Sequence, residues 1–166
     1  ALGAKIKVEK GYIIADGRKM HGGHVYLGGH FGSSVLATAN VMMAAVLTKG
    51  VTIIENAACE PEVIDLANFL NAMGANITGA GSPTVTVTGV KELHGAEHEV
   101  IPDRIEAATY AIAAAATNGE VTLLGARADH MHAVLDKLHE AGVNVERRGS
   151  AMTVRAPLRT TTWPHV

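Results

Sequence analysis

The stretch Ile101-Pro102-Asp103-Arg104-Ile105-Glu106 holds an acid, a base and an acid around one helix start. Asp103 is a natural N-cap, and Glu106 follows three residues later, which is the spacing of a capping box. Arg104 would add a guanidinium to a helix end that already favours anions. The capping and ligand readings are compatible, and both stand. A second stretch, Gly28-Gly29-His30-Phe31-Gly32-Ser33-Ser34, leads into another helix. Glycine-rich backbone at a helix start can cradle a phosphate or a base edge. The Gly-Lys-Ser/Thr ending of a P-loop is missing, so a plain β-α loop is the simpler reading. Glu60 and Glu62 sit where a third helix start would favour negative charge.

Other reactive side chains point to less. Cys59 precedes a helix, where a thiolate can be stabilised. A small buried core thiol is the expected role. There are nine histidines, but none has zinc spacing. His21 and His24 flank a Gly-Gly pair that reads as a turn. His130 and His132, two apart on an expected helix, face different sides. No metal site and no Ser-His-Asp arrangement is expected.

The elements that carry these residues repeat. From His24 the pattern runs strand (His24–Leu27), Gly-rich loop, helix (Val35–Leu47), strand (Val51–Ile54), helix (Pro61–Met73) and two strands (Ala75–Thr78, Thr84–Thr88). Apolar residues at 63, 66, 67, 70 and 73 give the second helix its period. From Glu99 the order recurs: Val100-Ile101 as a strand, a helix from Asp103 to Thr117, Val121–Leu124, a helix from Asp129 to Ala141, then Val143–Glu146 and Met152–Val154. Val51-Thr52-Ile53 aligns with Val121-Thr122-Leu123, Gly74 with Gly142, and Thr86-Val87 with Thr153-Val154. The fold class is therefore α/β (α+β in layered schemes), built from β-α-β-α-β-β units. Residues 1–20 read as the closing hairpin of a preceding unit, 21–92 and 93–157 as two complete units, and 158–166 as the opening strand of another. Units of this size share a core with further copies.

Composition removes several classes. The 166 residues are 48% hydrophobic and 18% charged, too apolar for disorder. Aromatics are 4%, so Val, Ile, Leu, Met and Ala must build the core. A net charge of -2 argues against a nucleic-acid partner. A lone cysteine rules out an internal disulfide framework. No apolar run approaches the ~18 residues of a membrane span, and no membrane association is expected. The start lacks a signal peptide's apolar region, so a cytoplasmic location is expected. Without an initiator Met the chain reads as a piece of a longer protein.

Taken together, these strings resemble the UDP-N-acetylglucosamine 1-carboxyvinyltransferases, the enolpyruvyl transferases of peptidoglycan synthesis. The matching segments are Thr52 to Ala58, Glu60-Pro61-Glu62-Val63-Ile64-Asp65-Leu66-Ala67-Asn68-Phe69-Leu70, Met73-Gly74-Ala75, Glu92 to His98 and Val100 to Ala107. Ser34-Val35, Ala37-Thr38 and Asn40 to Ala45 also fit. The likeness runs along essentially the whole chain.

The resemblance implies two domains, each an inside-out α/β barrel of three such units, with the ligand cleft between them. Residues 21–92 would end one domain, 99–156 would begin the other, and the crossover would fall near Ile101-Pro102. The implied reaction moves enolpyruvyl from phosphoenolpyruvate to the 3-hydroxyl of UDP-N-acetylglucosamine, with no cofactor. It needs a general acid, a base and cationic clamps. The family's acid cysteine would precede Ala1, and its aspartate near the sugar hydroxyl would follow Val166. No catalytic residue is therefore assigned here, and Cys59 stands where members often carry Arg. Ser34 and Val35 match the first two residues of the family's uridine-holding Ser-Val-Gly loop. The glycine position is Leu36, and Gly28–Ser33 is about three residues longer than in many members. Arg104 and Glu106 match a helix start facing the cleft. The chain alone is expected to be inactive and prone to self-association, because an open barrel wall leaves apolar faces uncovered. Two other readings remain: a non-catalytic nucleotide-sugar-binding or structural module, and the sister 3-phosphoshikimate 1-carboxyvinyltransferase.

Overall fold

In a computed structural model that describes residues 1–30 and 32–156, the chain divides into two units, Ala1–Val100 and from Ile101 onward. The expected opening strand at 158–166 lies outside the described residues, as does Phe31.

The first unit begins with an antiparallel hairpin, β1 (Lys5–Glu9) and β2 (Tyr12–Asp16), paired from Lys5 with Asp16 to Glu9 with Tyr12. Its two turn residues, Lys10 and Gly11, both have positive φ (51° and 81°), the geometry that suits a two-residue hairpin loop. A four-stranded sheet follows in the order β3 (His24–Tyr26), β4 (Val51–Glu55), β6 (Thr84–Thr88), β5 (Asn76–Thr78). β3 is parallel to β4, and the other pairs are antiparallel. Helices α1 (Val35–Ala45) and α2 (Pro61–Ala72) pack on the sheet. Alternation sends Thr52, Ile54, Val85 and Val87 inward. Ile54, Val85 and Val87 meet Met42, Ala45, Val63, Ala67 and Leu70 in one core. The Gly22-Gly23 pair is not a turn as expected. It runs alongside β4, where Gly23 O accepts from Ile53 N, and a side chain at Gly22 would run into the Val51 backbone.

The second unit has a three-stranded antiparallel sheet, in the order β7 (Glu120–Leu124), β9 (Ala151–Arg155), β8 (Asn144–Arg148). Helices α3 (Arg104–Ala116) and α4 (His132–Glu140) cover it. Ala108, Ala111 and Ala115 let α3 come close to the sheet, and Met131, Leu135, Leu138, Met152 and Val154 fill the rest. Arg127 pulls the Asp129 carboxyl below its usual range through a hydrogen-bonded pair at 2.7 Å, and Arg155 does the same to Glu120 at 2.6 Å.

Three further sequence expectations need correction. Val100-Ile101 forms no strand, so the second sheet lacks a counterpart of β3 among the described residues. Pro102 follows at once and cannot donate to a ladder, and the helix cap at Asp103 comes next. The helix expected from Asp129 begins at His132, after a short 3₁₀ turn over Ala128–His130. The Asp129 carboxylate is held by Arg127 instead of capping a helix, and Met131, at φ -126°, separates the two. His130 and His132 therefore do not share one helix. Finally, the alignment of Val51-Thr52-Ile53 with Val121-Thr122-Leu123 is one residue out of register. Thr52 pairs with Val87 and faces the core, whereas Val121 pairs with Val154 in the equivalent place. A strand's period of two makes that slip a change of face. The glycine match holds in conformation: Gly74 and Gly142 both have positive φ (98° and 78°), and the same pair of closing bonds ends α2 and α4.

Candidate functional site

The helix starts carry the candidate residues. At α1, β3 continues through Leu27, whose N–H donates to Glu55 O at 2.9 Å. Gly29 and Gly32 then exchange backbone bonds at 3.1 and 3.2 Å, closing a tight loop that requires positive φ at Gly32. Ser34 is the N-cap, and its Oγ accepts from Ala37 N at 3.2 Å. An accepting hydroxyl keeps its own proton to donate. Val35 is half-buried against the core, whereas Leu36 is 75% exposed, so an apolar side chain stands out at this helix start.

Sequence reasoning missed what holds this corner in place. Thr38 is fully buried. Its Oγ1 donates to Ser34 O at 2.9 Å and accepts from Ala58 N at 2.9 Å. One hydroxyl thus ties the start of α1 to the loop before α2. Only a tertiary contact between residues 20 apart reveals it. Cys59, next along that loop, is exposed, not buried as expected. Its neighbours Ala57 and Ala58 face the core, while its Sγ reaches only the Ala57 carbonyl at 3.7 Å. Glu60 is the N-cap residue of α2, and Glu62 sits in its first turn, as charge at a helix start favours.

At α3 the capping reading is realised: Asp103 Oδ1 accepts from Ile105 N at 2.8 Å and Glu106 N at 3.1 Å. Glu106 is exposed and lines an open groove of about 470 Å³ together with Pro102, Asp103, Tyr110 and Leu123. Arg104 is half-buried and outside that lining, as two-residue spacing on a helix dictates. The two candidate pairs thus belong to different units: Ser34 and Val35 to the first, Arg104 and Glu106 to the second. Among the described residues, no three His, Cys, Asp or Glu side chains converge as a metal site, and no helix is long and apolar enough to cross a membrane.

Comparison with known proteins places this geometry in context. The family model described as EPSP synthase (3-phosphoshikimate 1-carboxyvinyltransferase) matches residues 1–164. The chain is 53% identical over 155 residues to UDP-N-acetylglucosamine 1-carboxyvinyltransferase 1 of Caldanaerobacter subterraneus subsp. tengcongensis, covering 93% of this chain and 37% of that protein. It is 54% identical to the UDP-N-acetylglucosamine 1-carboxyvinyltransferase of Caulobacter vibrioides, at 93% and 36% coverage. To UDP-N-acetylglucosamine 1-carboxyvinyltransferase 1 of Staphylococcus aureus it is 48% identical, at 99% and 40%. The chain thus spans about two fifths of the length of the curated relatives it matches. Among solved structures, the enolpyruvyl transferase NikO from Streptomyces tendae superposes with a TM-score of 0.82 at 19% identity, over 95% of this chain and 40% of that one. EPSP synthase from Acinetobacter baumannii gives 0.60 at 22% identity, over 93% and 37%. At those identities the structures speak for the fold alone.

Proposed function

The chain belongs to the EPSP synthase family, and on that premise we propose that it is a segment of an enzyme that transfers enolpyruvyl from phosphoenolpyruvate to the 3-hydroxyl of UDP-N-acetylglucosamine. The observation that carries this reading is identity of about half over 93% of the chain to proteins bearing that enzyme's name. The proposal includes a cytoplasmic place in peptidoglycan synthesis. It also includes an inside-out barrel architecture, with residues 21–92 closing one domain and 93–157 opening the other, 1–20 ending an earlier unit and 158–166 starting a later one.

Within that reading, Ser34 and Val35 contact the uridine, and Arg104 and Glu106 lie on the ligand side of the second domain. Ser34 supports its role by position: it is exposed at a helix start, and its hydroxyl proton is free to donate to a carbonyl or phosphate oxygen. Leu36 adds bulk where the resembling enzymes carry glycine, so the uridine contact here uses more apolar surface. The acid, the base and the cationic clamps come from other parts of the enzyme, and residues 1–166 alone turn nothing over.

The test is product analysis. The full-length protein, incubated with phosphoenolpyruvate and UDP-N-acetylglucosamine, is expected to release phosphate and yield the enolpyruvyl ether of the sugar nucleotide by mass spectrometry. The 166-residue chain is expected to give neither. Turnover by the short chain would show that catalytic groups were overlooked. A second reading, with 3-phosphoshikimate as the acceptor, is favoured by the description of the matching family model. Product formation from that acceptor, with none from the sugar nucleotide, would select it.

A further inference from the structure

Residues 89–98 belong to no helix or strand, yet they are held down at several points. Gly89 N donates to Gly50 O at 2.9 Å and Val90 N to Val46 O at 2.8 Å. Leu93 packs against the core of the first unit. His94 N donates to Met73 O at 2.9 Å, just past the end of α2. Two turns back along the same helix, His98 Nε2 lies 3.0 Å from Asp65 Oδ1. The His98 ring stacks on Phe69, with centroids 5.1 Å apart and planes at 29°. The lengths agree with a taut segment: Met73 to Asp65 covers about 12 Å of helix, and four extended residues from His94 to His98 cover about 13 Å.

Burial separates this contact from an ordinary surface pair. Glu97 and Glu99 are exposed on either side, whereas the His98 and Asp65 side chains are only 18% and 15% exposed. A polar bond shielded to that degree, resting on an aromatic face, holds better than an open ion pair. The next residues, from Glu99 to Pro102, carry no regular structure up to the cap at Asp103, and the boundary between the units falls at 100–101.

We propose that residues 89–98 are a strap of the first unit, latched by Asp65 and His98 over Phe69, and that this latch confines the movable connection between the two units to residues 99–102. The strap fixes the point at which the chain leaves the first unit. Opening it would lengthen the connection by the four residues from Gly95 to His98. This inference does not depend on the identity of the substrate.

Cleavage by a glutamate-specific protease reads the latch directly, because Glu97 lies inside the strap and Glu62 inside α2. In the full-length protein, His98→Ala is expected to speed cleavage after Glu97 about ten-fold, the factor that corresponds to about 1.4 kcal/mol. Cleavage after Glu62 should stay unchanged. His98→Phe keeps the stacking and loses the polar bond, so it should fall between the two. Unchanged cleavage after Glu97 in His98→Ala would overturn the proposal. So would equal acceleration after Glu62, which would mean that the core, not a local latch, had loosened.

Discussion

Thr52 in the first unit and Val121 in the second occupy the same place in the same kind of ladder, one opposite Val87 and the other opposite Val154. Thr52 is 1% exposed, and its hydroxyl is buried with no partner. Val121 fills the place with carbon alone. One rung away the contrast reverses. The first unit closes its ladder with Val51 opposite Thr88, whereas the second uses Glu120 and Arg155, ion-paired at 2.6 Å. At these two rungs, the first ladder carries its polarity inside at Thr52 and the second carries it outside at Glu120 and Arg155. Two antiparallel ladders with the same strand order can thus place polar groups differently, because the ladder fixes which way each residue points.

The largest effects should come from the cores themselves. Ile54→Ala and Met152→Ala each remove a fully buried side chain and should cost about 2–5 kcal/mol. Local amide exchange distinguishes the units: Ile54→Ala should speed exchange in β4 and β6, and Met152→Ala in β7 and β9. Equal spread from either variant would break the comparison, since the two cores would then be one cooperative whole.

The next test exchanges the two solutions. Thr52→Val should stabilise by about 1 kcal/mol, because it removes a buried hydroxyl that has no partner. Val121→Thr should cost less than that, because Val121 is only half-buried. Denaturant midpoints check both, and a loss of stability in Thr52→Val would mean that its hydroxyl does have a role.

Helix starts give a smaller pair. Asp103→Ala and Ser34→Ala should each cost about 1 kcal/mol, with Asp103 the larger because its carboxylate accepts two backbone bonds where Ser34 accepts one. The reverse order in thermal melts would show that the Ser34 hydroxyl contributes more than its one cap bond.

The smallest effect is electrostatic. Arg155 holds the Glu120 carboxyl below its usual range. A lowered folded pKa means that the stabilisation is present above the unfolded value of about 4.3 and lost as pH falls through the folded one. Glu120→Gln should therefore be slightly less stable than the parent at neutral pH and equal to it in acid. The difference should shrink with added salt, as for any exposed pair.

Much of the fold could be read from the chain. The helical period of 63, 66, 67 and 70, Pro61 at a first turn, Asp103 as a cap and the glycines at 74 and 142 are local signals, and local geometry honours them. What escaped depends on partners distant in sequence. The register of Val51-Thr52-Ile53 against Val121-Thr122-Leu123 looks right as letters, and only the opposing strand reveals the slip. The helix expected from Asp129 begins only at His132, and the Asp129 carboxylate is taken up by Arg127. The exposure of Cys59, the Thr38 bridge and the Asp65–His98 latch, 33 residues apart, have no signature in spacing. The candidate site was legible as helix starts, through Ser34 and Asp103, and its ligand roles through resemblance alone.

The most direct measurement compares phosphate release from phosphoenolpyruvate by the full-length protein with each acceptor in turn. The account predicts steady release with UDP-N-acetylglucosamine and none above background with 3-phosphoshikimate. Release with 3-phosphoshikimate alone would contradict it.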